Sequence, residues 1–297
     1  DFHQAHLRRR TRVRLGVAST VDEGIDFHQA HLRRRTRVRL GVASTVRKYG
    51  GIDFHQAICD SVPMSGSTTA RARSKAAPLA PQEILRRLGP AYGPQSWSPR
   101  YDPVSELVFT ILSQHTSDLN SERAFRRLRD RFGSWEAVAE ADPQAIADLI
   151  RMGGLAQIKA PRIKAVLNRI LELRGSLDLD FLRELPLEEA KAWLLALPGV
   201  GRKTAAVVLC FALGMPAMAV DTHVHRVAKR LGLIGAKTTA DKAHDLLEAM
   251  VAPEEVFPFH VYLITHGRQV CKAPRPLCDR CVLLNGCPTG RERLGVS

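Results

Sequence analysis

The sequence predicts an all-α fold, on three observations. From about Pro81 onward apolar residues recur at intervals of three and four, which places them on one face of a helix. These stripes open on residues that cap helices or end on glycines. No stretch shows the strict apolar–polar alternation of a half-buried strand.

The stripes are met in order. Val104, Leu107, Val108, Ile111 and Leu112 form the first. Asp142-Pro143 is an N-cap followed by a first-turn proline, and Ile146, Leu149 and Ile150 follow before Gly153 stops the run. Ile163, Val166, Leu167, Ile170 and Leu171 form another stripe, ended by Gly175. A helix beginning near Leu187 closes with Leu194 and Leu197. Ala205 to Leu213 is nearly all apolar, so that helix is expected at the centre, with Gly214 ending it. Asp221 opens a helix that turns Val224, Val227, Ala228 and Leu231 inward and stops at Gly232. Thr239 can cap the next, which carries Leu246, Leu247 and Met250.

Composition narrows the function classes. The 297 residues are 45% hydrophobic, enough for one or two domains with a full core. No apolar run approaches the ~20 residues of a membrane span, and no signal peptide is visible. The default expectation is a cytoplasmic protein with no membrane partner. The formal charge is +14, which points to a polyanion such as nucleic acid. Six cysteines in such a chain argue for metal ligation rather than disulfides.

Residues 1–63 read differently. The segment 1–21 recurs without change at 26–46, and GIDFHQA at 51–57 repeats 24–30. A solenoid tolerates drift between copies and needs about three units. We expect 1–63 to be translated repeat sequence outside the fold, with the native start at Met64 and a flexible linker over 64–80. A chain begun at Met64 is then expected to keep full activity. The alternative is a basic DNA-binding arm. Charge does not decide: 1–63 carries 12 Lys and Arg against 6 Asp and Glu, and the rest still carries 32 against 24.

The segment Leu197-Pro198-Gly199-Val200-Gly201 joins two helices. Pro198 prevents the first from continuing. The glycines permit positive φ and leave no Cβ between backbone and ligand. The second helix starts at Arg202, so its free N–H groups point out of the turn and suit a DNA phosphate. Alone, such a turn is only a tight helix–helix connection; Arg202 and Lys203 immediately after it favour the phosphate.

LPGVGRKTA followed by VDTHVHRV resembles the helix-hairpin-helix glycosylases of the endonuclease III family, over roughly residues 81–288. The resemblance implies two helical domains flanking a DNA-binding groove. One, 103–214, is a six-helix barrel with the hairpin; the other joins 81–102 to 215–297 and carries an iron–sulfur cluster. It implies base-excision repair: a DNA glycosylase with abasic-site lyase activity on double-stranded DNA bearing a damaged base, by implication an oxidised pyrimidine, or an abasic site. Lys203 matches the family's nucleophile, whose amine attacks the sugar and holds it as a Schiff base. Such an amine must shed its proton, and Arg202 with the helix N-terminus is expected to help. Otherwise Lys203 is a phosphate contact. Asp221 matches the family's catalytic aspartate, and its position also makes it an N-cap.

Cys271, Cys278, Cys281 and Cys287 are spaced C-x6-C-x2-C-x5-C. Four thiolates are a full ligand set for zinc or for [4Fe–4S]; spacing leaves both open, and the resemblance implies the [4Fe–4S] cluster. Lys272 and Arg275 in the first interval are expected to hold phosphates. Cys210 reads as buried packing.

The target nucleotide must leave the stack. Ser113 to Asp118 resembles the family's wedge segment, with His115 where the family usually has glutamine and Gln114 one residue earlier. Leu155 after Gly154 resembles its apolar wedge, with partial core burial nearly as strong a reading. His223 and His225 are given no role. Two rivals stand beside this reading. A monofunctional relative such as an adenine-specific mismatch glycosylase lacks the lysine and uses a glutamate just before the wedge, where this chain has Phe109-Thr110. A non-catalytic helix-hairpin-helix module would only grip backbone.

Overall fold

The computed structural model describes residues 78–296, so the expectations for 1–63 and for most of 64–80 lie outside the described residues. Those residues form twelve α-helices joined by short turns, with no strand among them. In order they are α1 (Pro81–Tyr92), α2 (Pro103–Leu112), α3 (Asp118–Phe132), α4 (Trp135–Glu140), α5 (Pro143–Ile150), α6 (Ala156–Arg174), α7 (Leu187–Leu195), α8 (Arg202–Val207), α9 (Thr222–Leu231), α10 (Ala240–Glu248), α11 (Val256–Gln269) and α12 (Pro288–Leu294).

Local chemistry sets the starts. Asp102, Ser117, Ser134, Asp142, Asp221 and Thr239 each accept a hydrogen bond from a first-turn N–H. Each thereby satisfies a donor the helix cannot. Proline opens α1, α2 and α5, where the missing N–H costs nothing.

The buried residues fall into two clusters. One gathers α2 through α8, from Val104 to Ala219. The other gathers α1 with α9, α10 and α11, from Ile84 and Leu88 to Cys287. All ten residues of α2 are buried, which makes it a central helix of the first cluster. The expected central helix over 205–213 is present but not regular. After Val207 it widens into a π turn over Val208–Ala212. The turn lies where the chain crosses between clusters: Leu209 packs in the first and Cys210 in the second. Such bulges interrupt an α-helix by one extra residue, and no apolar pattern encodes them. Cys210 is buried, as its apolar setting implied.

Candidate active site

The hairpin runs from the end of α7 to the start of α8. Val200 N–H donates to the Leu197 carbonyl at 3.2 Å and closes the turn. Gly199 sits at φ +73°, where a side chain is strained, and a Cβ there would stand 2.7 Å from Arg162 Nε. Gly201 has an ordinary extended φ of −99°, so it is not needed for conformation. A Cβ there meets nothing within 4 Å, so it leaves the approach to the backbone open. Gly201 caps α8 without a side-chain acceptor, which leaves first-turn N–H groups for a ligand.

Lys203 is half-buried on the first turn of α8. Burial holds its ammonium pKa below the ordinary lysine value; the charges of Asp221 and Glu106 oppose the shift, and those of Arg100 and Arg268 reinforce it. Arg202 was expected to supply that positive charge. It pairs with Asp245 of α10 instead. The reason is helical geometry: adjacent residues do not face each other, so Arg202 cannot share the direction of Lys203.

Arg100 and Glu106 were not singled out from the sequence. Glu106 is fully buried in α2, with Arg100 Nη2 at 2.5 Å from Oε1 and Nε at 3.2 Å from Oε2. Thr110 Oγ1 donates to the same carboxylate at 3.4 Å. A lone acid inside the apolar run VSELVFTIL was the available signal. A bidentate pair of this kind holds both groups in one geometry. It also yields a prediction. Arg100→Met removes a cation near Lys203 and leaves Glu106 unpaired; both changes favour the ammonium. The pH at which a Lys203-dependent rate reaches half its maximum is expected to move up, read from initial rates across pH. An unchanged profile would mean that Arg100 does not act on this amine.

Asp221 caps α9, its Oδ1 accepting from Val224 N–H at 2.7 Å. Its carboxylate acts electrostatically on both Lys203 and His260. His260 of α11 is buried, with Nδ1 at 2.8 Å from the Ala219 carbonyl, and burial lowers its pKa. The structure therefore brings Lys203, Asp221, Glu106, Arg100 and His260 into one electrostatic neighbourhood. His225 bonds the Thr238 carbonyl at 2.9 Å and His223 approaches Arg226 at 3.1 Å.

The two loops expected to enter DNA lie side by side. His115 and Leu155 are the only described non-glycine residues with positive φ, at 54° and 53°. A Cβ on Gly154 would stand 3.9 Å from the His115 carbonyl. His115 is exposed, Gln114 is half-buried, and Leu155 is 48% exposed, so Leu155 is not a core residue.

The four cysteines line one recess, together with Arg230 and His266. No three Cys, His, Asp or Glu side chains among the described residues converge as they would around a single ion. Side chains of α9 fix its walls through hydrogen bonds. Arg230 donates to the carbonyls of Lys272 and Ala273 at 2.7 and 2.8 Å, and to Cys271 Sγ at 3.3 Å. Arg226 donates to the Cys271 and Gly267 carbonyls at 3.0 and 2.8 Å. Gly290 N–H points at Cys287 Sγ at 3.3 Å, and His266 Nε2 lies 3.4 Å from Cys281 Sγ. Burial pushes the Cys281 thiol up to about 11. Lys272 and Arg275 are exposed on this loop.

Comparison with known proteins gives a consistent result. Residues 108–253 match the family described as HhH-GPD superfamily base excision DNA repair protein. The chain is 38% identical over 193 residues to an Endonuclease III of Thermotoga maritima, covering 65% of this chain and 85% of that protein. It is 39% identical over 214 residues to one of Synechocystis, covering 70% and 92%. A solved structure of a trapped Endonuclease III–DNA covalent intermediate superposes with a TM-score of 0.63 at 30% identity, over 73% of this chain and 99% of that one.

Proposed function

The chain belongs to the endonuclease III family of base-excision DNA glycosylases and abasic-site lyases, and on that premise we propose that its chemistry runs through Lys203 with Asp221 assisting. The observation that carries this is a half-buried lysine whose burial disfavours the ammonium, on the first turn after a glycine hairpin and within reach of the field of Asp221. The neutral amine attacks the sugar C1′ and the N-glycosidic bond breaks, so the base leaves with the bonding electrons. The Schiff base that results makes the C2′ proton acidic. Its loss expels the 3′ phosphate and cuts the strand, and water then releases the sugar from Lys203. Asp221 stabilises positive charge developing on the sugar and accepts the lysine's proton.

The substrate we propose is an oxidised pyrimidine in double-stranded DNA, bound by a monomer at the chromosome. The two buried clusters are read as the two domains, 103–214 and 81–102 with 215–297. Gly199, Gly201 and Arg202 hold a phosphate at the hairpin. Lys272 and Arg275 hold others at the cysteine loop. Gln114, His115 and Leu155 fill the gap left by the everted nucleotide. A panel of duplexes carrying single lesions tests the substrate: fastest release is expected for oxidised pyrimidines. Faster release of a pyrimidine dimer or a deaminated base would overturn that assignment.

The cysteine recess fits a [4Fe–4S] cluster. All four cysteines line the one recess, and N–H groups of Arg230 and Gly290 face Cys271 Sγ and Cys287 Sγ, the kind of donor that cluster thiolates take. When bound, the cluster ties Cys271, Cys278, Cys281 and Cys287 into one rigid loop and takes no part in the bond-breaking steps. Cys278→Ser is expected to lower iron content, soluble yield and DNA binding together. Wild-type protein purified without oxygen that holds stoichiometric zinc and no iron would contradict the cluster.

A further inference from the structure

Lys159 is fully buried, at 1% exposure. It lies one helical turn before Ile163 on the buried face of α6. A buried ammonium is costly unless its donors are all used. Lys159 Nζ donates to the Leu112 carbonyl at 2.7 Å and to the Gly153 carbonyl at 2.8 Å. Burial pushes its pKa down to about 8. The first acceptor ends α2, three residues before His115. The second stands two residues before Leu155. One amine thus grips the bases of both loops whose tips hold left-handed, non-glycine residues. Such backbone persists only where its surroundings fix it.

Arg162, the next residue on that side of α6, reaches the remaining two DNA-facing points. Its Nη1 donates to Gln114 Oε1 at 3.0 Å. Its side chain crosses Gly199 so closely that a Cβ there would stand 2.7 Å from Nε and 2.8 Å from Cδ. No function assigned above uses Lys159 or Arg162. Lys159 is too enclosed to be a nucleophile.

We infer that Lys159 and Arg162 are positioning residues that fasten the 113–117 loop, the 154–155 loop and the hairpin to one helix, so that the three enter the duplex as a preformed unit. This rests on the reading of those segments as DNA-contacting. A preformed wedge matters where the target nucleotide must be pulled out of a paired stack. It matters little where the nucleotide is already unpaired.

The test is borohydride trapping on two DNAs: a fully paired duplex with one abasic nucleotide, and the same strand with that nucleotide inside an unpaired bubble. Lys159→Met keeps the stem and removes both donors. Arg162→Lys keeps the charge and removes the fork. Each is expected to trap on the paired duplex about tenfold or more slowly than wild type, the order for a misplaced contact, and on the bubble at close to the wild-type rate. If both DNAs lose equally, or neither loses, the positioning role is overturned. Where thermal melting shows Lys159→Met unfolded, Arg162→Lys decides alone. Wild-type protein that traps on neither DNA overturns the lyase reading itself, and the inference with it.

Discussion

Lys203→Gln is expected to abolish covalent trapping by borohydride and strand cleavage while leaving binding to abasic duplex largely intact. Only an amine forms a Schiff base, and glutamine has none to offer. Binding survives because a groove lined by many cations loses little when one contact goes. The fold should survive too. Burial disfavours the ammonium of Lys203, so replacing it by a neutral group of similar reach removes a cost of folding rather than a support. Equal loss of trapping and of binding would instead identify Lys203 as a phosphate ligand. Full trapping by the variant would assign the chemistry to another amine.

Asp221→Asn should slow base release by roughly 10²-fold, the usual order for a positioned acid–base group. Asparagine caps helices about as well as aspartate. The hydrogen bond to Val224 N–H is thereby kept, and thermal stability should change little. The charge is what disappears. Its loss also removes an influence that favours the ammonium form of Lys203, so the amine should lose its proton at lower pH than in wild type. If Asp221 acted only through the protonation of Lys203, the variant would match or exceed wild type once both amines are neutral. A deficit that persists on the alkaline plateau therefore separates charge stabilisation from pKa tuning. The double variant should be no slower than Lys203→Gln alone, because residues that act as one unit are not additive.

The parts of this protein that were legible in the sequence are those written locally. Caps such as Asp142 and Thr239 and the stops at Gly175 and Gly232 lie within a few residues of what they control, and each stands where the pattern put it. The cysteine spacing was equally local, and the four side chains line one recess. What was not legible depends on the third dimension. Glu106 read as one polar residue in an apolar helix; only the fold brings Arg100 to it and sets both beside Lys203. Arg202 followed the hairpin in sequence and was credited with acting on its neighbour. The helix turns it outward to Asp245, and Arg100 and Arg268 take that part from 103 and 65 positions away. The π turn after Val207 left no trace in an apolar run, because it is set by the passage between two cores. Leu155 read nearly as well as partial core as it did as wedge, and its exposure decides only that it is not core.

Everything proposed about the reaction depends on which amine holds the sugar. The most direct measurement is to trap wild-type protein on an abasic duplex with borohydride, digest the adduct, and locate the modified peptide by mass spectrometry. The account predicts a single adduct, carried by Lys203. An adduct on any other lysine would contradict it, and so would base release from lesion duplexes with no adduct formed at all.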